Sequence, residues 1–253
     1  MRLLVSVRNA AEACAAATGG AQIIDLKEPL HGPLGMVPPP KWTAILSSLI
    51  ESAAGEGPVF SSLALGEVAD WLESEPVSLP PVDYAKLGLA GLAESSDLSP
   101  WLETRQRFNQ LTARPPGWVA VIYADYQPAL APAPELIVQR AIESGCVGVL
   151  CDTWDKSAGK LWDSLTPLQL QPLIERTRAA GLFFALAGRL TAADVNLAKQ
   201  LGADVFAVRS AACTGQNRSL TVTSASVRQL AVAITAEGIG SSEELVNSSR
   251  VTA

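Results

Sequence analysis

Apolar runs of five or six residues recur along the chain, alternating with stretches of helical period. They cover Leu3–Val7, Gln22–Lys27, Pro58–Leu63, Val82–Leu87, Trp118–Tyr123, Val147–Cys151, Leu182–Leu186 and Asp204–Val208. Runs this short, rich in Val, Ile and Leu, read as strands buried on both faces. The segments between them carry helical spacing, clearest at Ala10–Ala17, Trp42–Ala53, Pro134–Glu143, Pro167–Ala180, Ala192–Leu201 and Ala225–Ala236. Gly19-Gly20 and Gly202-Ala203-Asp204 mark helix ends leading into strands. Eight strands alternating with eight helices predict a single (β/α)8 TIM barrel of the α/β class. The runner-up is an open doubly wound sheet, against which no GxGxxG follows the first run. The barrel is expected over residues 1–240, with a polar, frayed tail over 241–253.

Composition agrees with one sizeable core: 253 residues, 48% hydrophobic and 17% charged. A net charge of −6 gives no electrostatic footprint for nucleic acid. No stretch reaches the roughly 18 apolar residues of a membrane span. The N-terminus lacks the apolar core of a signal peptide, so a cytoplasmic protein is expected. Cys14, Cys146, Cys151 and Cys213 form no CxxC pair, and His31 is the single histidine, so neither a disulfide framework nor a metal site is expected.

A parallel barrel places its active site at the carboxyl ends of the strands, which makes the polar residues there informative. The second run ends Asp25-Leu26-Lys27, two residues apart and therefore on one side of a strand. Lys86 closes the fourth run, Tyr123-Ala124-Asp125 the fifth, and Asp152 the sixth, with Lys156 shortly after. The chain has six lysines against thirteen arginines, yet three of those six stand at strand ends of one barrel mouth. Lysine, unlike arginine, can shed its proton and act as a nucleophile or base. The plainer alternative is that Asp25 and Asp152 merely neutralise Lys27 and Lys86. At the seventh and eighth strand ends, Gly188, Arg209, Ser210 and Gly215 mark a phosphate site on two neighbouring loops. Gly188 reads equally well as a structural turn glycine.

The phrases LLVSVRN, GGAQIIDLKEPLHGPLG, YAKLGL, YAD, SGCVGVLCDTWDKSAGKLWDSL, ALAGRL and LGADVFAVRSAAC follow one another from Leu3 to about Arg218. In that order they resemble the (5-formylfuran-3-yl)methyl phosphate synthases. The resemblance implies a class I aldolase-like barrel that condenses two glyceraldehyde 3-phosphate molecules with loss of phosphate and water. Its product would be a furan precursor of methanofuran-type one-carbon cofactors. By motif, Lys27 of IIDLKEP would be the Schiff-base lysine and Lys86 of YAKLGL the proton acceptor, with Asp25, Asp152 and Lys156 as their polar support. The family's C-terminal loop reads GxDR where this chain reads GQNR, with Asn217 in place of the aspartate. No cofactor is implied, the partner is a small phosphorylated triose, and the exposed tryptophans and barrel shape make self-association an expectation. Two rivals remain at this point: another lysine-dependent lyase of phosphorylated sugars, and a catalytically inert barrel that binds a phosphorylated metabolite.

Overall fold

The apolar runs form eight strands: β1 (Arg2–Val7), β2 (Ile23–Leu26), β3 (Phe60–Glu67), β4 (Tyr84–Gly88), β5 (Gly117–Tyr123), β6 (Gly148–Asp152), β7 (Phe183–Leu186) and β8 (Val205–Val208). In the computed structural model, which describes residues 1–52 and 58–236, each strand pairs in parallel with the next and β8 returns to β1. The sheet is therefore a closed barrel. The tail expected over 241–253 and the last residues of the expected domain lie outside the described residues, as does the expected helix end at Ala53.

Around the barrel run α1 (Ala10–Thr18), α2 (Trp42–Ser52), α3 (Ser99–Leu111), α4 (Pro134–Glu143), α5 (Leu161–Ser164), α6 (Pro167–Ala179), α7 (Val195–Gln200) and α8 (Ser224–Thr235). Asn9, Thr166 and Thr223 cap α1, α6 and α8 by accepting from backbone N–H groups of the first turn. The alternation breaks twice. Between β3 and β4 the chain makes only a 3₁₀ turn, Val68–Trp71, and α5 is an extra turn after β6.

Strand residues alternate between two environments. Leu3, Val5, Ile24, Leu26, Phe184 and Phe206 pack outward against the helices. Leu4, Ile23, Ala64, Val119, Val121, Leu150, Ala185, Val205 and Ala207 fill the barrel interior. At the strand starts the interior is sealed by aromatics. Tyr84 meets Phe183 edge-on at 5.5 Å, and the Arg2 guanidinium lies over the rings of Phe60 and Phe183. Toward the strand ends the inward positions become small or polar, so the barrel is closed below and open above.

Candidate active site

Register brings the first polar layer together. Ser6 of β1 stands beside Asp25 of β2, Asp25 beside Ser62 of β3, and Ala64 beside Lys86 of β4. The Lys86 ammonium donates to Asp25 and, at 2.9 Å, to Ser62 Oγ, while Ser6 Oγ donates to the other Asp25 oxygen at 3.0 Å. Lys86 is 2% exposed, and burial pulls its amine below the ordinary lysine range. The Lys27 charge pushes the same way, while Asp25 and Asp152 oppose it.

Lys27 follows the last residue of β2 and sits one pleat above Asp25, as a separation of two residues requires. Its Nζ is 3.7 Å from Asp152 Oδ2, and this is its one polar partner among the described residues. Asp152 is more firmly engaged elsewhere. Its Oδ1 accepts from Lys156 Nζ at 2.5 Å and from the backbone N–H of Thr153 at 2.8 Å. Burial alone would raise the Asp152 carboxyl, but Lys156 and Lys27 outweigh it and hold it below the usual range. Lys156 also donates to Thr153, through the carbonyl and through Oγ1 at 3.1 Å. Burial lowers its amine to about 8, with Asp152 opposing and Lys27 and Arg218 assisting. The loop bearing Lys156 is pinned by Asp125, which accepts from the backbone N–H groups of Trp154 at 2.6 Å and Asp155 at 2.8 Å.

These groups open into a cavity whose far wall is Ala187, Gly188, Arg189, Ser210 and Arg218. Gly188 has φ +103, and an added Cβ would stand 3.1 Å from Leu161 and Thr153 side-chain atoms. That conformation and close approach call for glycine. Neither Gly188 nor Arg189 spends its backbone N–H on a protein acceptor among the described residues, which leaves two donors at the cavity rim. Ser210 also reaches the cavity wall.

Of the expected phosphate residues, Arg209 is engaged by the protein and Gly215 lies outside the cavity. Arg209 lines the wall, but its guanidinium is spent: Nη1 donates to Glu12 and to the Ser6 carbonyl, Nη2 to Glu12 and the Leu220 carbonyl, and Nε to the Arg218 carbonyl. It is a strut between β1, α1 and the loop after β8, with no N–H left for a ligand. Gly215 is exposed and stands outside the cavity wall. Arg189 and Arg218 supply the positive charge instead. Arg189 is exposed at φ +55 and donates to the Lys156 carbonyl at 2.9 Å, while Arg218 donates to the Pro29 carbonyl at 3.0 Å. The GQNR phrase contains Arg218, and its course back over the mouth was its missing signal. The Asn217 side chain accepts from Ser219 N–H at 3.0 Å within its own loop. A further unanticipated group is Glu67, which lies beyond the strand end expected at Leu63 and closes β3.

Among the described residues, no group of three or more His, Cys, Asp and Glu side chains could hold a metal ion, and no helix is long and apolar enough to cross a membrane.

Comparison with known proteins gives one consistent answer. Residues 3–231 match the family model described as 4-HFC-P synthase. The chain is 32% identical over 228 residues to the (5-formylfuran-3-yl)methyl phosphate synthase of Methanococcus aeolicus, covering 87% of this chain and 93% of the relative. It is likewise 32% identical to that of Methanopyrus kandleri, covering 92% and 98%. Solved barrels resemble it more distantly. A thiamine phosphate pyrophosphorylase from Pyrococcus furiosus superposes with TM-score 0.57 at 14% identity, covering 92% of this chain and 95% of that one. A 3-hexulose-6-phosphate synthase from Salmonella typhimurium gives 0.55 at 13%, covering 92% and 98%. At that identity the likeness speaks for the barrel alone.

Proposed function

This chain belongs to the 4-HFC-P synthase family, and from that premise we propose that it is a lyase that builds (5-formylfuran-3-yl)methyl phosphate from two glyceraldehyde 3-phosphate molecules through an iminium on Lys27. Its product would feed a methanofuran-type cofactor, and a triose phosphate substrate would put the reaction in the cytoplasm.

The observation that carries this reading is the unequal restraint on the three lysines. Lys86 is clamped by Asp25 and Ser62, and Lys156 by Asp152 and Thr153, whereas Lys27 has a single partner at 3.7 Å and borders the cavity. An amine must leave its ion pair and lose a proton before it can attack a carbonyl, and Lys27 has the least to give up.

Attack of the Lys27 amine on a triose phosphate carbonyl gives a carbinolamine, and loss of water from it gives the iminium. The iminium draws electrons from the adjacent C–H bond, and Lys86, buried and depressed, takes that proton. The resulting enamine attacks the aldehyde carbon of the second triose phosphate, forming the new C–C bond. Elimination of one phosphate and of water, with ring closure through a hydroxyl and release of Lys27 by hydrolysis, leaves the furan aldehyde. Two trioses minus the furan product leave one phosphate and two waters, so no oxidant or reductant is needed. The N–H groups of Gly188 and Arg189, with the Arg189 and Arg218 side chains, would hold phosphate at the rim.

The test is incubation with glyceraldehyde 3-phosphate alone, following furan absorbance and phosphate release together, with borohydride trapping and peptide mapping in parallel. Both signals rising in step, and a reduced adduct on Lys27, are expected. An adduct on Lys27 without furan would assign a different lysine-dependent condensation. Binding with neither adduct nor product would make the barrel an inert receptor.

A further inference from the structure

A second cavity adjoins the first on the side of β3 and the loop after β2. Lys156 and Arg218 belong to the walls of both, so two cations stand at the divide between them. The second cavity also holds a carboxyl group, Glu67, that the mechanism above leaves unused.

Glu67 is aimed there by an irregularity of the sheet. Ala64 pairs with Lys86, but Glu67 pairs with Gly88, so β3 carries one residue more than β4 over this step. Gly66, at φ +79, takes up the extra residue. Such a bulge bends the strand and redirects the side chain that follows it. The Glu67 carboxyl then lies over Gly88, where an added Cβ would come 2.1 Å from Oε2. Oε2 accepts from the backbone N–H of Ala90 at 3.0 Å, and Oε1 accepts from Tyr123 Oη at 2.5 Å. Tyr123 is fully buried and pairs across the sheet with Asp152. No cation neutralises Glu67 among the described residues, and its fixed donors are neutral. Burial accordingly holds it above the usual carboxylate range, against the pull of Tyr123 and Ala90. A carboxyl group whose proton affinity is raised at a cavity wall is the arrangement a general acid needs.

We propose that Glu67, steadied by Tyr123, is the general acid that dehydrates the second triose unit, which lies in the cavity between Trp154, Arg218 and the loop after β2. This rests on the synthase reading. In the step, the Lys86 amine takes a proton from the carbon next to the Lys27 iminium, in the first cavity, and the C–H pair becomes the new C=C bond to the second unit. The C–O bond of the neighbouring hydroxyl breaks, and its oxygen leaves as water with the Glu67 proton. The proton gained by Lys86 returns to the Glu67 carboxylate through solvent, so both groups end as they began. A phosphorylated three-carbon unit suits this cavity, because Lys156 and Arg218 stand where its phosphate would lie.

The experiment compares wild type with Glu67→Gln and Glu67→Asp, reading borohydride trapping on Lys27 and furan formation separately. Gln keeps the size, its single oxygen can accept from the Ala90 N–H while its NH2 donates to Tyr123 Oη, and it loses the acid proton. Glu67→Gln is expected to trap substrate on Lys27 at the wild-type rate, while furan formation falls by about 100-fold or more. A six-carbon species heavier than the furan by water should accumulate in the mass spectrum. Glu67→Asp, which restores a carboxyl, should recover part of the rate. Unchanged furan formation in Glu67→Gln overturns the assignment. Equal loss of trapping and furan formation also overturns it, since Glu67 would then merely support the fold. Absence of furan from wild type would sink the synthase reading itself, and shows before any substitution is made.

Discussion

Replacing Glu12 by Gln tests the strut that holds the mouth. Glu12 is fully buried in the first turn of α1 and accepts from Arg209 Nη1 at 2.6 Å and Nη2 at 3.1 Å, and from Arg8 through Nε at 3.1 Å and the backbone N–H at 2.9 Å. Burial by itself would raise this carboxyl. The two guanidinium groups outweigh it and bring the value from 4.5 down to about 2. At about 1.4 kcal/mol per pH unit, that drop amounts to about 3 kcal/mol of stability. A folded value below the unfolded one means the contribution is complete above about pH 4.5 and is lost as pH falls through about 2. Gln cannot carry the charge, and it leaves Arg209 buried without a counter-ion, a loss of about 3–5 kcal/mol at neutral pH. Urea unfolding of both proteins between pH 7 and pH 2 measures the difference directly. The gap should be widest at pH 5–7 and narrow steadily toward pH 2. A gap independent of pH would refute the reasoning, because the lost interaction would then not depend on the Glu12 charge. The substitution should also raise KM for the triose phosphate, since Arg209 anchors the carbonyls of Ser6 and Arg218 at the cavity.

Further outcomes follow from the lysines and the bulge. Lys27→Ala should abolish both turnover and borohydride trapping, and near-normal turnover would end the Schiff-base mechanism. Lys86→Ala should lose turnover while some adduct still forms on Lys27, as mapped by mass spectrometry after reduction. Lys156 should react with an acylating reagent with a half-maximal rate near pH 8, whereas an unperturbed lysine reaches it near about 10.4; peptide mapping across pH separates the two. Gly88→Ala sets a methyl group against the Glu67 carboxyl and should cost about 1–3 kcal/mol by overpacking. Its urea midpoint should fall and furan formation with it, and a variant of wild-type stability would show that Glu67 moves aside freely.

The strands were legible because each is buried on both faces and needs no alternation to announce it. The lysine cluster was legible for a related reason: charge at the end of an apolar run has few structural uses. What escaped was set by partners far away in the chain. Arg209 at the end of β8 looks like a ligand-binding residue until Glu12, 197 residues earlier, is seen to claim it. Glu67 was hidden because the strand was expected to end at Leu63, whereas β3 runs on through the bulge at Gly66 to Glu67. Arg189 and Arg218 lie on loops, whose path over the mouth no periodicity records. The missing helix between β3 and β4 has the same origin, since that connection holds only the 3₁₀ turn at Val68–Trp71.

The barrel's layering accounts for why three lysines do not act alike. Side chains two apart on a strand stand one above the other, so Asp25 and Lys27 occupy successive layers of the interior. The lower layer, Ser6, Asp25, Ser62 and Lys86, is closed on itself by hydrogen bonds and almost fully buried, which keeps one amine fixed and its proton affinity low. The upper layer, Lys27, Asp152 and Lys156, has one carboxylate between two amines, and the shorter bond goes to Lys156. Asp152 cannot satisfy both equally, so Lys27 is left loosely held at the edge of the cavity. On the proposed mechanism this imbalance is functional, because the nucleophile must move and the base beneath it must not. Shortening the competing lysine therefore gives a directional expectation. Lys156→Ala should draw Asp152 onto Lys27, hold its ammonium more tightly, and slow trapping at neutral pH more than it weakens binding of the substrate.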